Sequence, residues 1–132
     1  MNDFVLLSSV ALLMLQLGSS CGVNVPPGLP YYGDMTFWQL GGETACGTYQ
    51  SNDDSVCAIN PSHWTSPNPH FDPVCGKLIK IWDPSTSRSI EVTVKDKCGS
   101  CSDSDIDVSP TSFTKLQPSS VGRHKVYWGF IH

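Results

Sequence analysis

Four aspartates and a C-x-x-C stand close together in Asp96–Pro110, DKCGSCSDSDIDVSP. A calcium loop is one chemistry such a stretch can carry. Asp103, Asp105 and Asp107 alternate as at the start of an EF-hand loop, but that loop needs Gly at its sixth position and Glu at its twelfth. Val108 and Thr114 stand there instead. Zinc is excluded on similar grounds, because Cys98 and Cys101 need a second ligand pair and the other cysteines are scattered singly. A redox C-x-x-C belongs at a helix N-terminus in an α/β fold, whereas this one follows a β-rich segment. The residues therefore predict no metal and no cofactor, and a structural disulfide closing a tight loop.

The carboxylates remain. Asp103 and Asp105 read as solvated turn residues. Asp107 lies between Ile106 and Val108, inside a short apolar strand. A carboxylate with buried neighbours is desolvated, which raises its pKa and lets it carry a proton nearer neutrality. Asp96 ends the preceding strand. If the disulfide loop folds the chain back, Asp96 and Asp107 share one groove, and paired carboxylates are the machinery of glycosidic bond cleavage. The plainer reading is that Asp96 caps the loop and Asp107 bonds backbone N–H groups. The residues alone leave both open.

These groups must be held by strands. Tyr31–Trp38 is aromatic-rich and extended, and Ser55–Ile59 is a second short strand. Lys77–Trp82 and Ser89–Lys95 form a hairpin around Asp83–Arg88. In the latter strand Ile90, Val92 and Val94 alternate with Glu91, Thr93 and Lys95, the signature of one buried face. Ser109-Pro110 is a helix start, with Ser as N-cap and Pro first, so Thr111–Leu116 is expected to be one helical turn with Phe113 and Leu116 inward. Lys125–Ile131 is the closing strand. Pro61–Pro73 is a long proline-rich loop. Short strands with many Gly and Pro breaks predict an all-β barrel.

The 132-residue chain fits one domain. Phe4–Leu17 is apolar but too short to span a bilayer. With Gly18, Ser19 and Ser20 after it, residues 1–20 read as a secretory signal peptide, residues 21–30 as an extended lead-in and 31–132 as the barrel domain. Net charge is −4, or −3 once Asp3 leaves with the signal. Such a mildly acidic chain lacks the basic patch that nucleic acid requires, and no later segment suits a membrane. Six cysteines in a short secreted chain imply disulfides, and spacing alone selects no pairing.

Taken in order, the motifs resemble a known family. Gly33-Asp34-Met35-Thr36-Phe37-Trp38 matches its opening Thr-aromatic-aromatic strand, and Thr44-Ala45-Cys46-Gly47 its G-A-C-G motif with Thr for the first Gly. Asn68-Pro69 and Cys75-Gly76-Lys77 match the segment before the central hairpin. Val94–Cys101 matches V-x-D-R-C-x-x-C with Lys97 for Arg. Asp105-Ile106-Asp107-Val108-Ser109 through Phe113 matches D-L-D-L-S-x-x-x-F, and Gly122-Arg123 with Val126-Tyr127-Trp128 matches the closing strand. The chain resembles the double-psi β-barrel of expansin-like and rare-lipoprotein-A-like proteins, above all small secreted fungal single-domain members.

That resemblance implies a six-stranded double-psi β-barrel with one short helix, stapled by Cys46–Cys75, Cys98–Cys101 and Cys21–Cys57. It gives Asp107 the family's acidic place. His70-Phe71-Asp72 spells the expansin H-F-D tripeptide, but Pro73-Val74-Cys75 follows it instead of Leu-Ser and a helix, so Asp72 is not that acid. Gln39 stands where related endoglucanases carry a base carboxylate, which argues against hydrolysis.

The implied function is that of a secreted, monomeric, expansin-like protein. It would bind or loosen cell-wall polysaccharide (chitin, cellulose or peptidoglycan) without hydrolysis. Thr36, Trp38, Asp96 and Asp107 would form the groove, and Trp64, with His63 and Phe71, a flanking wall. One alternative is a protease-inhibitor-like or effector barrel that binds a secreted protein through loops such as Pro61–Pro73. Another is a lytic transglycosylase or weak glycosidase, with Asp107 as acid and Asp96 as its partner.

Overall fold

The computed structural model describes residues 24–132. The expected signal peptide lies outside them. Six strands form in chain order: β1 (Tyr31–Phe37), β2 (Val56–Ile59), β3 (Leu78–Asp83), β4 (Arg88–Lys97), β5 (Ile106–Val108) and β6 (His124–Ile131). They close into a barrel in the order β1-β5-β2-β4-β3-β6. β1 runs parallel to β5 and β2 parallel to β4, while the other neighbours are antiparallel. All six strands were expected from the sequence, with ends within three residues of those observed.

Alternation decides what lies inside. In β4, Val92 and Val94 are buried, and in β5 Ile106 and Val108 flank a half-buried Asp107. Together with Met35, Cys57, Ile59, Ile79, Ile81, Val126 and Trp128 they fill the barrel. Helix α1 (Pro110–Thr114) plugs one end through Phe113, and Leu116 beyond it is also buried.

Two local expectations are corrected. The helix is shorter than Thr111–Leu116, because Lys115 and Leu116 bond back to Ser112 and Phe113 with tighter, non-α spacing and Pro118 ends the run. Ser109 precedes the helix, but its hydroxyl makes no cap bond. It instead donates to the Asp54 carbonyl and meets Ser112 Oγ at 2.8 Å. Ser109 is fully buried, and satisfying a buried carbonyl outweighs capping an end that Pro110 already relieves of one N–H.

β4 carries one residue more than its partner needs. Cys57 pairs with Val94 and Ala58 with Asp96, so Lys95 is bulged out. Its carbonyl accepts from Cys46 N–H at 3.0 Å, which ties the 44–47 loop to the barrel wall. Cys46 is also bonded to Cys75, and Cys98 to Cys101, as expected. Of the third expected bridge, Cys21 lies outside the described residues. Cys57 has no disulfide partner among them and is wholly buried, with its thiol pushed far up by that burial and by Asp107.

Gly33 makes a close approach possible. A Cβ there would overlap the backbone carbonyl of Ser104, the same carbonyl that accepts from Trp128 Nε1 at 2.8 Å. Gly33→Ala is expected to destabilise the barrel by about 1–3 kcal/mol, the usual cost of overpacking, read from urea unfolding. The two bridges should differ as well. Sequence separations are 29 and 3, so chain entropy gives about 3.6 kcal/mol for Cys46–Cys75 and about 1.6 kcal/mol for Cys98–Cys101. Replacing Cys46 and Cys75 by Ser should therefore lower Tm more than replacing Cys98 and Cys101, which calorimetry on the two variants would check.

Candidate functional site

Four strands contribute one rung to the outer face of the barrel. Thr36 in β1 pairs with Asp107 in β5, Asp107 with Ala58 in β2, and Ala58 with Asp96 in β4. Side chains paired directly across strands project to the same face. The bulge is what brings Asp96 into this row. Strict alternation from Val92 and Val94 would aim Asp96 at the core, and one extra residue turns it outward. Ala58 between the two acids is small, so nothing fills the space between them. Their Cα atoms are two inter-strand spacings apart, about 10 Å.

The groove over this rung has a volume of about 180 Å³ and is lined by Trp38, Ala58, Asp96, Lys97, the Cys98–Ser100 turn and Asp107. Trp38 extends the β1–β5 ladder, its N–H donating to the Val108 carbonyl at 3.2 Å. The disulfide turn is held from below, since Cys98 N–H donates to the Ile59 carbonyl at 2.8 Å and Asn60 Nδ2 donates to the Cys101 carbonyl. A larger cleft of about 620 Å³ lies between the lead-in and β6, lined by Leu29, Tyr31 and Phe130 among others. It has no acidic side chain in its lining and lacks the chemistry of the smaller one.

The two acids differ in what they bond. Asp96 Oδ1 accepts from the N–H groups of Ala45 and Lys97, both at 2.9 Å, so it holds the 44–47 loop. Asp107 Oδ1 accepts from Thr36 Oγ1 at 2.9 Å. Burial pushes the Asp107 carboxyl above the usual range; the Thr36 bond opposes this, the Asp96 charge adds to it, and Arg123 draws it back slightly. The sequence-level choice between caps and working acids resolves differently for each residue: Asp96 does cap a loop, whereas among the described residues Asp107 bonds no backbone N–H.

The structure brings Trp38, Asp96 and Asp107 to the groove, with Thr36 beside Asp107. It does not bring Trp64 there. That indole is only 9% exposed and belongs to the core, and the Lys97 ammonium lies over it at 5.2 Å. Lys97 lines the groove in its place. His63 packs edge-on against Tyr31 and Trp128, and Phe71 points into solvent. Gln39 Oε1 accepts from Asn52 Nδ2 at 2.8 Å. Sequence reading missed Lys97 and Ser100 as lining groups. The C-x-x-C turn between the two acids was the signal that could have found them.

Other acids prove structural. Asp72, of the H-F-D tripeptide, is buried and accepts from Thr65, Ser66 and Val74 N–H at 2.7, 2.7 and 3.0 Å. Burial pushes its carboxyl up, but those bonds outweigh it and hold it below the usual range. Asp83 behaves alike: burial opposes its charge, yet Gln117, Ser85 and His124 bring it down to about 2. Asp105 is more than a solvated turn residue, since it accepts from Asp34 and Ser102 N–H at 3.0 and 2.9 Å. Among the described residues no cluster of three His, Cys, Asp or Glu could hold a metal ion.

A closed six-stranded barrel with two parallel strand pairs, one short helix and a groove on its outer face is a double-psi β-barrel. The chain belongs to the Barwin family, which it matches over residues 24–128. It is 36% identical over 110 residues to the papain inhibitor of Streptomyces mobaraensis, covering 82% of this chain and 76% of that protein. The structure of a Streptomyces papain inhibitor superposes with a TM-score of 0.71 at 34% identity, over 83% of this chain and all of the other. An expansin of Clavibacter michiganensis, solved with cellohexaose, shares the fold with a TM-score of 0.65 at 18% identity. The match covers 77% of this chain but only half of that expansin.

The raised pKa of Asp107 sets a pH dependence. An acid whose folded pKa lies above its unfolded value favours the fold fully below the unfolded value, and that contribution is lost as pH rises through the folded one. Asp107→Asn cannot ionise and keeps an oxygen for Thr36. The Tm of Asp107→Asn minus that of the parent should therefore grow from about pH 3 to about pH 7. A difference that shrinks over that range would mean the carboxylate is stabilised in the fold.

Proposed function

We propose that the outer groove binds cell-wall polysaccharide without cleaving it. The observation that carries this reading is the rung Thr36–Asp107–Ala58–Asp96 with Trp38 beside it. An indole face stacks on the apolar face of a sugar ring, and a half-sheltered acid bonds its hydroxyls. Few, fixed polar groups in a partly apolar concavity are what a small-ligand site requires. The absence of hydrolysis follows from the division of labour between the acids. Asp107 has the environment of a proton donor, but hydrolysis needs a second carboxylate that is free to act on water or on the anomeric carbon. Asp96 is tied to the 44–47 loop, its Oδ1 accepting from two backbone N–H groups, and Gln39 is an amide.

A second reading rests on the papain inhibitors at 34–36% identity. In it the barrel is a scaffold and its loops engage a protease. The disulfides fit either role in an oxidising, extracellular setting.

Retention on cellulose, chitin and peptidoglycan tests the groove. The parent should be retained on at least one polymer, Trp38→Ala should weaken retention by about tenfold, equivalent to about 1.4 kcal/mol, and Asp107→Asn should weaken it less. Unchanged retention of the double variant on every polymer would sink the groove reading. New reducing or anhydro ends on incubated oligosaccharides would replace it with an enzymatic one.

A further inference from the structure

The H-F-D tripeptide has no part in the groove, yet the fold handles each of its residues distinctly. Asp72 points inward and clamps Thr65, Ser66 and Val74. His70 turns sideways onto the 44–50 loop: its ring is the nearest neighbour of the space over Gly47, and its Nε2 lies 3.4 Å from Glu43 Oε1. Phe71 points out and is 80% exposed, the most exposed large hydrophobic side chain among the described residues. Second to it is Tyr49, 76% exposed.

The two loops that carry them meet through Glu43 and His70. Glu43 and Tyr49 form an antiparallel bridge, so their side chains leave the loop on the same face. The Glu43 side chain reaches His70, and Phe71 follows His70. Each of the two loops that meet at the His70–Glu43 contact thus carries one exposed aromatic ring.

Both loops are locked. Cys46–Cys75 joins them. Phe71 ends a 3-10 turn, Pro69–Phe71, whose entry is fixed by Asn68 Oδ1 accepting from His70 N–H at 3.1 Å. Asp72 fixes its exit. Exposed aromatic surface on a mobile loop would lose much of its binding energy to ordering; on a pre-set turn that cost is already met by folding. Protein interfaces concentrate their energy in such rigid aromatic anchors, and rings left this exposed bury little area in the barrel itself.

We propose that Phe71 and Tyr49 form the surface by which this protein docks non-covalently on a papain-type cysteine protease, with the Phe71 ring seated in an apolar pocket of the protease cleft and the 3-10 turn obstructing substrate. This rests on the inhibitor reading and assigns it a location away from the Asp107 groove.

The test is inhibition of papain, activated beforehand and freed of excess thiol so that Cys46–Cys75 stays closed. The parent chain should inhibit. Phe71→Ala should raise the inhibition constant by about tenfold and Phe71→Ala with Tyr49→Ala by about a hundredfold, corresponding to about 1.4 and 2.7 kcal/mol. Phe71→Leu should fall between parent and Phe71→Ala. Tyr32→Ala, which removes an exposed ring from β1, should leave inhibition unchanged. Because both target rings are solvent-exposed, the variants should keep the parent's Tm. A parent that inhibits and a double variant that inhibits equally well would overturn the location while leaving the inhibitor reading intact. A parent that does not inhibit papain would overturn both.

Discussion

Lys95 is one residue too many opposite Cys57 and Ala58, and much of the molecule is arranged around that surplus. Side chains on a strand alternate with a period of two, so an unpaired residue inverts the facing of everything after it. Before the bulge, β4 sends Val92 and Val94 into the barrel. After it, Asp96 stands outside in the row of Ala58 and Asp107. Without the bulge a carboxylate would point into the core among Ile59, Val94 and Ile106, at a desolvation cost that no nearby cation offsets. The same distortion frees the Lys95 carbonyl from the ladder, and Cys46 N–H takes it. Through Cys46 and its bond to Cys75, one irregular residue organises both the polar groove and the loops on the neighbouring surface.

The buried acids divide by whether their charge is answered. Asp72 and Asp83 are surrounded by donors, and their carboxyls lie below the usual range although burial opposes them. They hold loops and a hairpin end. Asp107 has one hydroxyl donor, a carboxylate across Ala58 and a half-sheltered position, and its carboxyl lies above the usual range. An acid left under-satisfied in a concavity beside an indole, when the other buried acids are so thoroughly satisfied, is on physical grounds the candidate for the proposed groove function. The same logic separates the aromatics. Trp64 and Trp128 lie in the core, Trp38 borders the groove, and Phe71 is held in water by a turn whose neighbours on either side are anchored.

The two proposed surfaces draw on one scaffold without sharing side chains. The groove uses the outer face of β1, β5, β2 and the end of β4. The docking surface uses loops joined by Cys46–Cys75. Asp96 is the link between them, lining the groove while accepting from Ala45 N–H beside Cys46. Either surface can therefore be altered with the barrel interior untouched, the circumstance in which one fold comes to serve unrelated tasks.

The sequence by itself determined the strands, the β3–β4 hairpin, the closing strand and the shelter of Asp107 between Ile106 and Val108. These depend on alternation and turn residues within a few positions, which local composition specifies. Only the tertiary structure decided that Asp96 faces outward, that Trp64 turns inward beneath Lys97, that Ser109 spends its hydroxyl on Asp54 rather than on its helix, and that H-F-D splits into an inward anchor, a ring laid beside Gly47 and an exposed one. Each of those is set by which strand or loop lies opposite. Cross-strand register and the burial of a distant carbonyl are relations between residues far apart in the chain, and no window of neighbouring residues contains them.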